Sequence, residues 1–568
     1  MNKPQAARRF FTKAKPLKAL LPLAFFLILL ASLPFFTAAF SGCNQRTPII
    51  YSLDPRIGML GEPLTILGSN FGDERGDSLV TVAGIQPVGS AYLEWSDRKI
   101  VLQLPDFGES GLVYVHVNGR RSNGLLFANR SGLPRQTQES DAGVRPRITG
   151  VSPPSAPVGS LVTITGTGFG SSRDRSGVFF SWNPDITLSA PAELWTPEFT
   201  KVSEADFGYE FWSEREIRVR VPDGASDGTI EVRTPRGVSA PHLFSIRDRP
   251  GTKTFRDRRV YTLTASVNII PIEAEDSNSL FLWVPRPASS AWQRNVEILF
   301  SNPRPFVENH QGTSIFRKED MVPGRESRVN ISWKVDVYRV ETAVRPQAIR
   351  TDANSSIHRI FTQSEPLIPS DDPRIRAAAA RILGGERNPY LAARRIYQWM
   401  ISEGIVREGR IENDIFTALE TGEADAFTAT LLYCALLRSV GIPALPVAGV
   451  LINSQNITAN HYWAEFWVDG FGWIPVDVAM GSGAVPVPFR ALPEHNAVSA
   501  ADFYFGNIDS QRIAFSRGIA NLSPMTPSGR TVALSRSYSL HNLWEEAVGI
   551  DSYTSLWGDI IITGIYAQ

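Results

Sequence analysis

The sequence predicts a multidomain, mainly β chain that ends in an α+β domain. Three observations point there. Forty-four glycines and 40 prolines punctuate the 568 residues, and between them apolar side chains alternate in short runs, as in strands with one buried face. A long stretch of the first half recurs 98 residues later (Leu53-Asp54-Pro55, then Val151-Ser152-Pro153). Helical spacing sets in only after Asp372-Pro373. At about 150 residues per domain, the length allows three to five units.

Composition excludes several classes of function. With 43% hydrophobic and 20% charged residues the chain is globular rather than disordered. Lysine plus arginine balances aspartate plus glutamate at 57 each, so no nucleic-acid partner is expected. Two cysteines, Cys43 and Cys434, exclude a disulfide-stapled scaffold and a multi-cysteine metal site. The seven histidines are scattered. His461 and Glu465 are four apart and share one face of a strand, but one such pair does not make a metal site. Neither a G-x-S-x-G elbow nor a P-loop occurs, and no cofactor is expected.

The first element, residues 1–42, reads as an export signal. Met1–Lys18 carries six positive charges and no acid, and Ala19–Ala39 follows without a charge. Phe40-Ser41-Gly42-Cys43 resembles the bacterial lipobox, although that motif favours leucine where Phe40 stands. The resemblance implies cleavage before Cys43 and lipidation of that residue. The alternative is an uncleaved transmembrane anchor, since such a run can span about 30 Å of hydrocarbon. Both place the rest of the chain outside the cytoplasm, in the cell envelope and attached to a membrane.

The repeat defines the next units, 46–130 and 146–248, joined by a polar linker at 131–145. Gly61, Leu64-Thr65-Ile66, Gly68 and Phe71-Gly72 are matched by Gly159, Val162-Thr163-Ile164, Gly166 and Phe169-Gly170. Trp95-Ser96-Asp97 and Trp212-Ser213-Glu214 correspond further on. Units of this size with period-two strands suit β-sandwiches. The pattern resembles the IPT/TIG immunoglobulin-like family, whose members are spacers and protein- or glycan-binding modules. The second copy carries about 19 extra residues, among them Trp182, Trp195, Phe199 and Phe207. They are expected to fold back on their own sandwich rather than form a sticky recognition edge.

Alternation returns over 259–345, where a further β-sandwich is expected. Helices are expected from Asp372-Pro373 and Asn388-Pro389, each with an N-cap followed by proline. Then come Asp425-Ala426, Leu437-Arg438 leading into Gly441-Ile442-Pro443, His461-Tyr462-Trp463-Ala464-Glu465 and Gly472-Trp473-Ile474-Pro475-Val476-Asp477. In this order they resemble the transglutaminase-like superfamily over 371–481. The resemblance implies a papain-like core, one helix packed on an antiparallel sheet, and a Cys-His-Asp triad. His461 and Asp477 match the second and third members. At the position of the nucleophile stands Ala426. The tail, 482–568, has the alternation to add strands to this core.

No other side chain is well placed to replace the missing thiol. Cys434 is eight residues along the same helix, about 12 Å further on, in an apolar run that raises a thiol pKa. Thr428 points away from the Ala426 direction, Thr430 lies one turn deeper, and Asp425 is expected to cap the helix or face solvent. His461 and Asp477 could survive as a hydrogen-bonded core pair or as part of a pocket that binds without cutting. The sequence therefore points to a membrane-anchored envelope protein acting as a binding or scaffold pseudoenzyme. Its partner would be an envelope protein or a peptide or glycan ligand. The alternatives are an active amide-bond hydrolase or transferase acting on envelope proteins or peptidoglycan peptides, and a spacer without a ligand.

Overall fold

The computed structural model describes residues 47–58, 62–87, 89–104, 111–129, 144–173, 175–183, 198–490, 498–526, 529–534 and 536–567. Residues 1–42, where the sequence predicts an export signal, Cys43, most of the 131–145 linker and Trp195 lie outside the described residues.

Each repeat unit is a pair of facing sheets. In the first, Ile49–Asp54, Pro63–Ser69, Lys99–Gln103 and Tyr92–Trp95 face a sheet built on Gly111–Val117 and Leu125–Asn129. Leu64, Ile66, Ile100, Leu102, Val113 and Val115 fill the space between, buried at every second position. The second unit repeats the register: Leu53 pairs with Ile66 in the first, Val151 with Ile164 in the second. The shared glycine has a steric cause. A Cβ at Gly68 would lie 2.1 Å from the Ile49 carbonyl oxygen and 2.2 Å from the Phe71 ring. At Gly166 the corresponding distances, to Arg147 and Phe169, are 2.1 and 2.4 Å.

The inserted aromatics correct the sequence expectation. Trp182 is buried, but against the next domain, with its ring 5.2 Å from Phe255 and 5.1 Å from Tyr338 and the Arg294 guanidinium 3.9 Å above it. Phe207 packs 5.9 Å from Phe361. Of the three that are described, Phe199 folds back on its own sandwich, under Arg233. Burying an indole against a neighbouring sheet removes more apolar surface than an exposed edge would, and it fixes the second sandwich to the back half.

The β unit beyond it is one eight-stranded sheet built on a single 35-residue strand, Gly251–Pro285. The tail divides its strands between two sheets, rather than only extending the core as expected. Glu545–Trp557 and Ile561–Ala567 pair with the long strand. Among the described strands of the tail, Arg512–Arg517 joins the sheet of the core.

That core holds α1 (Pro373–Leu383), α2 (Pro389–Ser402) and α3 (Ala426–Ser439) against a four-stranded sheet. The sheet consists of β1 (Ala444–Ile452), β2 (Thr458–Val468), β3 (Gly472–Val476) and β4 (Arg512–Arg517), in the order β3-β2-β1-β4. Asp372 and Asn388 accept from backbone amides of Arg374 and Tyr390, capping α1 and α2 where the sequence predicts. Both faces of the sheet are covered. Ala464, Phe466 and Ile474 share the helical core, whereas Leu445, Val447, Trp463 and Trp473 share a core with the eight-stranded sheet and the second sandwich.

Candidate active site

The helix α3 begins at Ala426, capped by Asp425, whose Oδ1 accepts from the Thr428 amide at 2.9 Å. Ala426 is half-buried. With Phe427 it packs against a small cluster of Ala448, Tyr462 and Leu540. Tyr462 is the neighbour of His461 on β2, and its ring lies 5.1 Å from that of Phe427. The alanine thus sits at a helix N-terminus, where free amides and the dipole favour an anion.

Cys434 lies two turns on, fully buried, and burial pushes its thiol up to about 12 despite the Arg438 cation. The Thr428 hydroxyl is buried and donates to the Asn413 carbonyl at 3.1 Å. Thr430 is buried as well. The sequence reading of these side chains as structural agrees with their placement, and Asp425 takes the capping role.

His461 and Asp477 come together. His461 Nε2 and Asp477 Oδ2 are 2.8 Å apart, and both side chains are almost wholly buried. Asp477 Oδ1 also accepts from the Met480 amide at 2.9 Å, capping the short helix Val478–Ser482. His461 stacks 6.2 Å from Trp463 with 23° between the ring planes. The carboxylate on one side and the indole on another restrict the imidazole to one orientation.

Sequence reasoning missed what lies behind this pair. Arg512, fully buried on β4, donates from Nη1 to Asp477 Oδ2 at 2.7 Å and from Nη2 to Asp509 Oδ2 at 2.6 Å. Tyr504 donates its hydroxyl to the same Asp509 oxygen at 3.0 Å. The guanidinium lies 5.1 Å from the Trp463 ring centroid and 5.7 Å from that of Tyr504. Burial alone would raise the Asp477 pKa, but His461 and Arg512 outweigh it and bring the carboxyl down to about 2. The one available signal was an arginine heading an otherwise apolar strand, Arg512-Ile513-Ala514-Phe515.

Glu465 shares the strand face with His461 but serves the packing. Its carboxylate accepts from Trp292 Nε1 at 2.9 Å and from Arg517 Nη2 at 2.7 Å. Arg517 also donates to Asp206 of the second sandwich at 3.0 Å. Among the described residues no group of three or more His, Cys, Asp or Glu side chains is arranged to hold a metal ion.

Residues 376–478 match the model of the transglutaminase-like superfamily, and residues 48–129 and 146–184 match that of the IPT/TIG domain. The chain carries a transglutaminase-like core. It stands behind two IPT/TIG domains. An uncharacterized protein of Haemophilus influenzae is 22% identical over 296 residues, covering 46% of this chain and 79% of that protein. Among solved structures, a Cytophaga hutchinsonii protein provisionally described as a cysteine protease is 13% identical. It covers 56% of this chain and 93% of its own, with a TM-score of 0.36. SGBP-B from a xyloglucan utilization locus of Bacteroides uniformis is 12% identical and covers 52% and 99%, with a TM-score of 0.14. At these scores neither likeness bears on activity.

Proposed function

We propose that the protein is exported and held at a membrane by a lipid on Cys43, and that its transglutaminase-like core binds rather than cuts. The observation that carries this reading is Ala426 at the first turn of α3. Activation of a thiol there would rest on the helix dipole and on His461, but a methyl group has nothing to deprotonate. Cys434, with its thiol pushed up to about 12 by burial, is no substitute. The retained pair of His461 and Asp477, braced by Arg512, supports a pocket that keeps its shape. Its partner would be an envelope protein or a peptidoglycan-linked peptide or glycan, and the protein would act as a scaffold or pseudoenzyme.

Two measurements test this. The full chain, assayed against amide- and glutamine-containing peptides, should show no turnover. Turnover that His461→Ala abolishes would make the protein an amide hydrolase using water, or a transferase using an amine acceptor, activated by His461, and the binding reading would fall. For the anchor, labelled fatty acid should enter the protein and be lost with Cys43→Ser; labelling that persists would reject it.

A further inference from the structure

A segment of the tail packs beside Ala426. Arg536 is one-tenth exposed, and its guanidinium is bound on several sides. It pairs with the Asp425 carboxylate and donates to the carbonyls of Ile411 at 2.5 Å and Asn413 at 2.9 Å. It also lies 4.9 Å over the Phe427 ring. A carboxylate, two carbonyls and an aromatic face form a receptor for a planar cation.

The contacts continue along the segment. The Tyr462 hydroxyl donates to the Ser537 carbonyl at 2.8 Å, and the Leu540 amide donates to Ser516 Oγ at 2.9 Å. The Leu540 side chain packs with Tyr462 and Ala448, the cluster on which Ala426 and Phe427 also rest. Arg536 itself has φ +55°, a left-handed conformation that a residue with a Cβ adopts only where its surroundings hold it. Residues 536–541 thus supply a basic side chain, a main-chain acceptor, a main-chain donor and an apolar side chain. A peptide segment bound across this surface would make contacts of the same kinds.

We propose that the surface beside Ala426 is a binding site for a peptide segment carrying an arginine, and that residues 536–541 occupy it in cis. A partner must then displace this strap, and its apparent affinity is reduced by the fraction of molecules in which the strap is docked. The inference rests on the reading that the Ala426 pocket binds rather than cuts.

The test uses the full chain as wild type and as Arg536→Ala, titrated with a fluorescein-labelled peptide of residues 534–542, LSRSYSLHN. Arg536→Ala should bind it saturably and at least about tenfold more tightly than the wild type, and a peptide with alanine in place of its arginine should not bind. Where Arg536→Ala does not fold, Leu540→Ala loosens the strap without removing the ion pair and supplies the comparison. Equal binding to strapped and loosened chains, no binding to either, or indifference to the peptide's arginine would each overturn the proposal. If the peptide fails while an Ala426→Cys chain still shows an activated thiol, the arginine site is rejected and the binding reading stands.

Discussion

Arg512 and His461 converge on one oxygen: Asp477 Oδ2 lies 2.7 Å from Arg512 Nη1 and 2.8 Å from His461 Nε2. The carboxylate is fully buried, so its charge persists only because these partners and the Met480 amide replace its water. The site is therefore held together by the histidine, the aspartate and a cation from β4, a strand outside the segments that carry the family resemblance.

Removing that cation leaves two buried carboxylates, Asp477 and Asp509, without their common partner. Arg512→Met should destabilise the chain by about 3–5 kcal/mol, as expected for a broken buried pair. Urea unfolding checks this; a loss below about 1 kcal/mol would place the charge elsewhere.

The pH dependence follows from the sign of the Asp477 shift. Its folded pKa, about 2, lies below the ordinary 3.8. It therefore contributes stability that is present above about pH 4 and lost as pH falls towards 2. The stability gap between wild type and Asp477→Asn should narrow as the pH falls across this window. A gap unchanged down to about pH 2 would contradict the assignment.

Cys434 should behave as an inert core residue. In a Cys43→Ser background, an aromatic disulfide reagent should leave Cys434 unmodified in the native state and label it fully in denaturant. Rapid native labelling would mean that the middle of α3 is open to solvent.

Trp182 fixes the second sandwich to the sheet behind it. Trp182→Ala should cost about 3–5 kcal/mol and split one cooperative melting transition into two, read by calorimetry. A single transition with an unchanged midpoint would show that the docking rests on the polar contacts alone, among them Lys253 with Asp223 at 2.6 Å.

Much of this was legible because it is local. The repeat announces itself through Gly68 and Gly166, where a Cβ would collide with a carbonyl, and through strands buried at alternate positions. The caps Asp372, Asn388 and Asp425 sit next to the helices that they begin. The His461–Asp477 pair follows from motifs on adjacent strands. What escaped depends on long separations. Arg512 reaches Asp477 across 35 residues, and Arg536 reaches Asp425 across 111. Neither pairing leaves a periodic trace. Trp182 was misplaced because an aromatic in an insertion reads the same whichever domain it packs against. The division of the tail between two sheets is equally silent, since alternation reveals a strand's buried face but not its neighbour.

On the proposed reading, a site framed by His461 and Asp477 lacks its nucleophile at Ala426. That reading is tested most directly by restoring one: Ala426→Cys in the Cys43→Ser background, alkylated with iodoacetamide as a function of pH. The introduced thiol should react well below the ordinary cysteine pKa of about 8.5, and it should lose this reactivity when His461→Ala is added. An introduced thiol that titrates like a free cysteine, or that is indifferent to His461, would contradict it.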